Sequence, residues 1–277
     1  MTERTIDTGT TDVLGEVRDG VGRIVLNRPE RRNALTPDML GGLAALLAEL
    51  ESATDVGAVL VTGAGPAFCA GGDVKAFAER GGEGGTASAP QPERIARQRD
   101  SQAATVGRLY GLRKPVVAAL PGAAAGAGLG LALAADLRIG CPATVMVTAF
   151  ARVGLSGDYG TAWLLHRLVG PARAREMMFF AERTSAERCL ELGLLNRIVP
   201  ADELAEAAQA LAAQLANGPR LALRNMKQNL LEADHEDLAA SMDREIPRHM
   251  ECGVSEDHRE AVQAFVAKRE PVFGRTP

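Results

Sequence analysis

The segment at residues 114–136, KPVVAALPGAAAGAGLGLALAAD, constrains the fold more than any other stretch of the chain. Its apolar run at residues 115–120 predicts a buried strand, and a turn of glycine and alanine follows at residues 122–128. An apolar helix is predicted to begin near Ala127. Backbone N–H groups in the first turn of a helix have no partner inside that helix, so strand, turn and helix start together predict a site for negative charge.

Composition bounds the kinds of protein that this chain can be. Its 277 residues are 46% hydrophobic and 24% charged, which suits a layered α/β unit with an appendage and a sizeable core. The net charge of −4 predicts no basic surface for nucleic acid, and no apolar run approaches the ~20 residues of a membrane span. The first residues lack an apolar signal core, and the four scattered cysteines form no C-x-x-C pair. We therefore expect a cytoplasmic protein with no metal site and no nucleic-acid or membrane partner.

Strand and helix signals alternate along the first two thirds of the chain, and helices alone follow. Thr36 is a good N-cap and Pro37 suits the first helical position, so a helix is predicted to begin there. The segment at residues 81–92 is rich in glycine, serine and proline and is expected to be mobile. This order predicts a core at residues 1–198 and a helical region at residues 199–277. The other predicted elements are a hairpin at residues 13–18 and 22–27, strands at residues 58–62, 137–140 and 144–148, and helices near residue 73 and at residues 93–112, 171–180, 185–192, 201–216 and 219–268.

Two turns of small residues invite comparison with nucleotide-binding loops. The dinucleotide fingerprint needs G-x-G-x-x-G, but Leu131 stands at the third glycine position after Gly126, and Phe68 stands there after Gly63. No G-x-x-x-x-G-K-[ST] sequence occurs. Judged by the glycines alone, the turns are either an anion site or two close strand–helix crossings that need small residues.

Five segments in order carry a resemblance to a known family: NRPERRNAL, FCAGGDV, KPVVAALPGAAAGAGLGLALAADLRI, VGLSGDYGTAWLLHRLVGPARAREMMF and GLLNRIV. Over about residues 15–270 the chain resembles the enoyl-CoA hydratase/isomerase (crotonase) superfamily. The resemblance implies an α/β fold, a spiral of strand-strand-helix repeats with a C-terminal helical trimerisation region that covers the site. It also implies an acyl-CoA thioester as substrate, no cofactor beyond the substrate's own coenzyme A, and a trimer or a dimer of trimers.

The resemblance assigns roles to residues in both glycine turns. The backbone N–H groups of Gly72 and Ala127 match the pair that holds the thioester oxygen, and two fixed donors would stabilise an enolate there. For two lysines that match coenzyme A contacts, Lys75 and Lys268, the alternative is that they are ordinary surface residues. The positions that match coenzyme A or acyl contacts are Arg32, Ala34, Ala70, Gly71, Asp73, Val74, Lys75, Phe150 and Lys268. Lys268 ends an F-x-x-K motif that begins at Phe265, and the resemblance implies that it reaches the coenzyme A of a neighbouring subunit.

The chain departs from the hydratase pattern at both catalytic acids. Hydration needs a base to activate water and an acid to protonate the α carbon, and hydratases supply two glutamates. Gly130 and Phe150 stand at those positions, so simple hydration by the usual mechanism is not expected. Phe150 makes the predicted pocket apolar, which suits a bulky or aromatic acyl group. Tyr159 and Trp163 are further candidates for its wall, although Trp163 also suits a helix core.

One carboxylate, Asp158 in GLSGDYG, matches a position that carries a catalytic aspartate in some relatives. Isomerases of the family use it as a proton carrier and dehalogenases use it as a nucleophile. The dehalogenase alternative is weakened because Ala103 and Gly72 stand where its histidine and its phenylalanine would be. A dienoyl-CoA isomerase is also less favoured, because Phe150 stands where its second carboxylate would be. The structural alternative is that Asp158 caps a helix beginning near Tyr159.

A single carboxylate suffices for a 1,3 double-bond shift, because it removes one proton and returns it elsewhere. The sequence therefore predicts an enoyl-CoA isomerase with Asp158 as acid and base. A hydratase or hydrolase that uses Asp158 to position water is the enzymatic alternative. A non-catalytic acyl-CoA-binding protein is the alternative from another class, since both usual acids are missing.

Overall fold

The computed structural model describes residues 3–79, 81–82 and 90–274. The segment at residues 81–92, for which the sequence predicts mobility, lies mostly outside this described part. The strands are β1 (Glu3–Ile6), β2 (Val13–Arg18), β3 (Val21–Leu26), β4 (Ala58–Gly63), β5 (Ala67–Cys69), β6 (Val116–Leu120), β7 (Ala123–Ala125), β8 (Leu137–Gly140), β9 (Val145–Val147), β10 (Thr184–Ser185) and β11 (Arg197–Ile198). The helices are α1 (Pro37–Ser52), α2 (Val74–Glu79), α3 (Gln91–Gln102), α4 (Arg108–Gly111), α5 (Ala127–Leu133), α6 (Thr161–Phe180), α7 (Ala186–Glu191), α8 (Leu204–Ala216), α9 (Arg220–Ala233), α10 (Leu238–Gly253) and α11 (Glu256–Ala267).

The main sheet has the strand order β1-β2-β3-β4-β6-β8-β11. Its first three strands pair antiparallel and all later pairs are parallel. Strand β6 lies inside the sheet and all five of its residues are buried. A parallel strand that is covered on both faces has a continuous apolar sequence, so the apolar run at residues 115–120 predicts this strand clearly.

The smaller sheet, in the order β10-β9-β7-β5, brings the two glycine turns together. Strand β5 precedes the first turn and pairs parallel with β7, which lies inside the second turn. Sequence reasoning missed β7, because a three-residue run of alanine carries little strand propensity. The residue just before β7 has to be glycine, since a Cβ on Gly122 would overlap the carbonyl of Pro66.

Helices cover both faces of the main sheet. Helix α1 packs against the larger apolar core, and helix α8 packs over β4 and β6 in a second cluster. An ion pair ties α9 to the sheet: Nζ of the buried Lys227 donates to Asp136 at 2.8 Å, and Asp136 accepts the Val116 N–H at 2.7 Å. Burial lowers the pKa of Lys227, and the Asp136 carboxylate opposes that shift.

Most predicted elements are confirmed, including the hairpin and the start of α1, where the Thr36 hydroxyl accepts the Met39 N–H at 3.1 Å. The predicted helix at residues 93–112 is interrupted by a π-helical turn at Ala103–Gly107. The predicted start of a helix near Tyr159 is confirmed to within two residues, since α6 begins at Thr161. Left-handed backbone at Tyr159 (φ 48°) and Gly160 (φ 68°) prevents an earlier helical turn. Within the described residues, no helix is both long and apolar enough to cross a membrane.

Candidate active site

The two glycine turns aim backbone N–H groups at the same region. The Gly71 carbonyl accepts the Leu35 N–H at 2.8 Å, and a trans peptide then directs the Gly72 N–H away from Leu35. Gly71 itself lies against the second turn, because a Cβ on it would be 2.6 Å from the Ala125 carbonyl oxygen and 3.3 Å from Ala127 N. Gly71 has φ 81°, so the close approach and the backbone both require glycine there.

Ala127 is the first residue of α5, and its N–H points out of the helix start. The preceding carbonyl, that of Gly126, accepts the N–H groups of Leu129 at 3.0 Å and Gly130 at 3.2 Å. Because the peptide is trans, the Ala127 N–H points the opposite way, out of the helix. The Gly126 N–H donates to the Val147 carbonyl at 3.1 Å, which fixes the helix start on β9.

A cavity of about 270 Å³ lies in front of these groups. Apolar side chains dominate its wall, and two carboxylates line its described part. Such a mixture of apolar surface with a few convergent polar groups is typical of small-molecule sites. Its lining residues are Leu35, Thr36, Pro37, Leu40, Ala70, Gly72, Asp73, Val74, Ala76, Phe77, Gln98, Gly126, Ala127, Ala149, Phe150, Val153, Leu155, Asp158 and Tyr159.

The loop that carries Asp158 is held in an unusual backbone conformation. Gly157, Tyr159 and Gly160 all have positive φ, and such a conformation costs a bulky residue on the order of 1 kcal/mol or more. The Tyr159 N–H donates to Gln102 Oε1 at 2.9 Å, and the Tyr159 hydroxyl lies 3.2 Å from Ser101 Oγ. Helix α3 therefore supplies the contacts that keep this loop in place.

Asp158 faces the cavity and does not cap α6. The N-cap residue of α6 is Gly160, and no side chain caps this helix start. The backbone carbonyl of Asp158 accepts the Thr161 N–H at 3.1 Å and the Thr161 hydroxyl at 2.9 Å. The carboxylate is partly buried and accepts a hydrogen bond from Gln98 Nε2 at 3.2 Å. The capping alternative is therefore wrong, and the side chain remains directed at the cavity.

The second carboxylate of the cavity wall, Asp73, is held by structural contacts. Burial alone would raise its pKa, but the Ala76 N–H and the guanidinium groups of Arg31 and Arg28 outweigh burial and lower the pKa of Asp73. Arg31 lies 3.2 Å from its carboxylate and Arg28 lies 3.8 Å away. An ionised carboxylate engaged by two cations is a poor proton carrier, which leaves Asp158 as the better candidate.

Gly130 has a packing reason for lacking a side chain. A Cβ at this position would lie 2.6 Å from the Tyr159 carbonyl oxygen and 2.8 Å from Thr161 Oγ1. Contacts of that length do not occur between real atoms of these types, so the loop that carries Asp158 occupies the space of any side chain at Gly130. The carboxylate on the loop and an acid at this helix position exclude each other here.

The structure brings together part of the predicted site. Seven predicted residues line the cavity: Ala70, Gly72, Asp73, Val74, Ala127, Phe150 and Asp158. Gly71 packs against the second turn. Tyr159 also lines the cavity, whereas Trp163 packs elsewhere, stacked with His235 and edge-on to Tyr110. Trp163 is also 39% exposed, so it is not a core residue. Five predicted coenzyme A or acyl contacts do not line the cavity: Arg32, Ala34, Gly71, Lys75 and Lys268.

Three residues of α3 that touch the Asp158 loop were missed by sequence reasoning. Gln98, Ser101 and Gln102 lie on a polar helix, and nothing in their local pattern distinguishes them from surface residues. The π-helical turn that follows them is a feature often found at functional sites, but it is visible only in three dimensions.

Comparison with known proteins identifies the family of this chain. The family model of enoyl-CoA hydratase/isomerase matches residues 16–276. The chain is 38% identical to the 1,2-epoxyphenylacetyl-CoA isomerase of Escherichia coli K12, over 94% of this chain and 97% of that protein. It is also 38% identical to the "Probable enoyl-CoA hydratase" of Rhodobacter capsulatus, over 93% of this chain and 96% of the relative.

A solved structure extends the likeness to three dimensions. The crystal structure of an enoyl-CoA hydratase from Polaromonas sp. JS666 matches with a TM-score of 0.86 and 31% identity, over 95% of this chain and 99% of the other. The strand–helix repeats followed by C-terminal helices are thus the crotonase fold. The chain belongs to the enoyl-CoA hydratase/isomerase family of enzymes.

Proposed function

We propose that the protein isomerises the double bond of an enoyl-CoA thioester with Asp158 as the only acid and base. The observation that carries this proposal is the shared cavity: Asp158 lines it together with Gly72 and Ala127, while Gly130 and Phe150 replace the two acids of a hydratase. One carboxylate can transfer a proton between two carbons but cannot both activate water and supply a separate acid.

The proposed reaction conserves all atoms of the substrate. The thioester oxygen lies between the N–H groups of Gly72 and Ala127, and Asp158 takes a proton from the α carbon of a 3-enoyl-CoA. The negative charge of the resulting dienolate rests on the oxygen that the two N–H groups stabilise. Asp158 then returns the proton to the γ carbon, which yields the 2-enoyl-CoA. The apolar wall, including Phe150, keeps water away from the dienolate.

The partners proposed for this activity follow the family resemblance. Coenzyme A is part of the substrate, and no other cofactor takes part. The core at residues 1–198 binds the acyl-CoA, while residues 199–277 assemble the subunits into a trimer or a dimer of trimers. Exposed apolar side chains on the last three helices support self-association, among them Leu230, Leu238, Phe265 and Val266 at 73–85% exposure. In such an assembly Lys268 reaches the coenzyme A of a neighbouring subunit.

A ring-epoxide rearrangement is the second candidate, favoured by the relative from Escherichia coli. It too needs a positioned carboxylate and a thioester oxygen held by two donors, and the aromatic Phe150 suits an aryl acyl group. The two candidates differ in the bond that breaks, a C–H bond in one and a C–O bond of the ring in the other.

Reactions in heavy water separate these candidates from the alternatives. An isomerase given 3-enoyl-CoA yields 2-enoyl-CoA, and mass spectrometry shows no added water and deuterium at the α or γ carbon. Hydroxyacyl-CoA or free acid as the main product would overturn isomerisation in favour of a hydratase or a hydrolase. Tight binding without turnover or exchange on 3-enoyl-CoA and epoxyphenylacetyl-CoA would favour a non-catalytic protein.

Removing one of the two N–H donors is expected to slow the reaction. Ala127 is at the first helical position, where proline is well tolerated, so Ala127→Pro removes this N–H with little damage to α5. We expect kcat for 3-enoyl-CoA to fall about 10²-fold with the thermal unfolding temperature nearly unchanged. Ala127→Gly keeps the N–H and is the control. Equal rates for the two variants would show that this donor does not act in the reaction.

Gln98 is expected to orient the Asp158 carboxylate through its hydrogen bond. Gln98→Met removes the donor at similar length, so kcat should fall about tenfold with KM little changed, as expected for a hydrogen bond to a charged group. The control is Gln91→Met, the same exchange on exposed surface about two turns earlier on α3. A steady-state comparison in which both variants lose the same amount would contradict the orienting role.

A further inference from the structure

A second cavity lies behind the one that contains Asp158. It has a volume of about 300 Å³ and an almost wholly apolar wall, which includes Ala103, Val106, Tyr110, Trp163 and Leu164. Part of this wall comes from the π-helical turn at the end of α3. We call this second cavity the rear groove.

Within the described part of the chain, Tyr159 is the residue that lines both the rear groove and the active-site cavity, so it lies between them. It is only 4% exposed, and its hydroxyl lies 3.2 Å from Ser101 Oγ. Its Cβ packs against α5, 3.2 Å from where a Cβ on Gly130 would lie. The side chain is thus buried, its hydroxyl has a polar neighbour and its Cβ lies close to α5, which leaves the ring little space to move.

A larger groove also adjoins the active-site cavity, but its chemistry differs. Its volume is about 1090 Å³, and its described part includes the charged residues Arg94, Arg97 and Asp100. Charged walls suit the polar part of a ligand, whereas an apolar chain gains free energy only where it leaves water for apolar surface. The rear groove is thus the better destination for the far end of an acyl chain.

We propose that the Tyr159 ring sets the upper length of the acyl group that the protein accepts, by closing the active-site cavity against the rear groove. The native substrate class is then the short or compact acyl group, whose end meets the ring. This inference rests on the proposed function only in taking an acyl-CoA as ligand, and it does not depend on which reaction follows.

Calorimetric binding of saturated acyl-CoA thioesters of increasing chain length tests the proposal, because these ligands bind without an isomerisable double bond. For the native protein, affinity should rise with each methylene up to a limiting length and then stop rising. In Tyr159→Ala and Tyr159→Leu the gain of about fourfold per methylene should continue for several methylenes beyond that length. Tyr159→Phe keeps the ring and should keep the native limit.

A filled rear groove provides the reverse test. Ala103 is exposed on the groove wall, so the double variant Tyr159→Ala with Ala103→Trp blocks the groove with little risk to folding. We expect it to restore the native limit. The same length dependence in the native protein, Tyr159→Ala and Tyr159→Leu would overturn the proposal, as would a native protein that binds no acyl-CoA. Failure of the isomerase assay alone, with these binding curves as expected, would overturn the proposed reaction and leave the length limit intact.

Discussion

Asp158→Asn should lower kcat for the conversion of 3-enoyl-CoA by about 10³-fold, because a positioned acid and base contributes roughly 10²–10⁴-fold. The amide has nearly the shape of the carboxylate but cannot accept a proton from the α carbon at neutral pH. Its oxygen can still accept the hydrogen bond from Gln98, so KM and the unfolding temperature should change little. Deuterium exchange into the substrate should fall in parallel with kcat.

Asp100→Asn is the matched control for this variant. Asp100 is an exposed carboxylate on α3, outside the wall of the active-site cavity, and its exchange removes the same charge from the chain. Native kcat in Asp100→Asn together with a large loss in Asp158→Asn would locate the effect at the site. Near-native turnover of 3-enoyl-CoA by Asp158→Asn would show that the proton is carried by another group.

Gly130→Glu should destabilise the protein without creating a hydratase. The first atom of the new side chain would lie 2.6 Å from the Tyr159 carbonyl oxygen, so the Asp158 loop has to move. Overpacking a core costs about 1–3 kcal/mol, and a carboxylate buried without a partner adds to that, so we expect the free energy of unfolding to fall by about 4 kcal/mol. Denaturant unfolding of the native and variant proteins measures this difference.

Gly41→Glu is the control for the exchange of glycine for glutamate within a helix. Gly41 is an exposed residue of α1, and a Cβ there has no atom of the described residues within 4 Å. Because glutamate has the better helix propensity, this variant should be as stable as the native protein or more stable by about 0.5 kcal/mol. A well-folded Gly130→Glu protein that hydrates 2-enoyl-CoA would contradict the argument that the loop excludes an acid from this position.

The two predictions concern segments that touch, since Gly130 on α5 lies against the backbone of the loop that carries Asp158. Positive φ at Gly157, Tyr159 and Gly160 directs the loop toward α5 and places the carboxylate in the cavity wall. The absence of an acid at Gly130 and the presence of one at Asp158 are therefore parts of a single arrangement. Replacing one of these residues does not convert the site into that of a hydratase.

Local chemistry made much of the fold readable in the sequence. Thr36 and Pro37 predicted the start of α1 through a cap that spans three residues, and Asp19-Gly20 predicted the hairpin of β2 and β3. The family resemblance, which rests on five short segments, gave the spiral architecture and placed Asp158, Gly72 and Ala127 in one cavity wall. These features depend on a few neighbouring residues or on a known sequence pattern, so they can be predicted without the tertiary structure.

Tertiary structure decided what those residues touch. Gln98 meets Asp158 across 60 positions of sequence, and no rule based on neighbouring residues predicts such a pair. The backbone of Tyr159 excludes a side chain at Gly130, and the same residue lines both the active-site cavity and the rear groove. Neither of these two relations can be predicted from the segment GLSGDYG. The sequence by itself determined the family, the turns and the candidate acid. Which space each side chain fills was settled only by packing, because close contacts between distant segments depend on the positions of many elements at once.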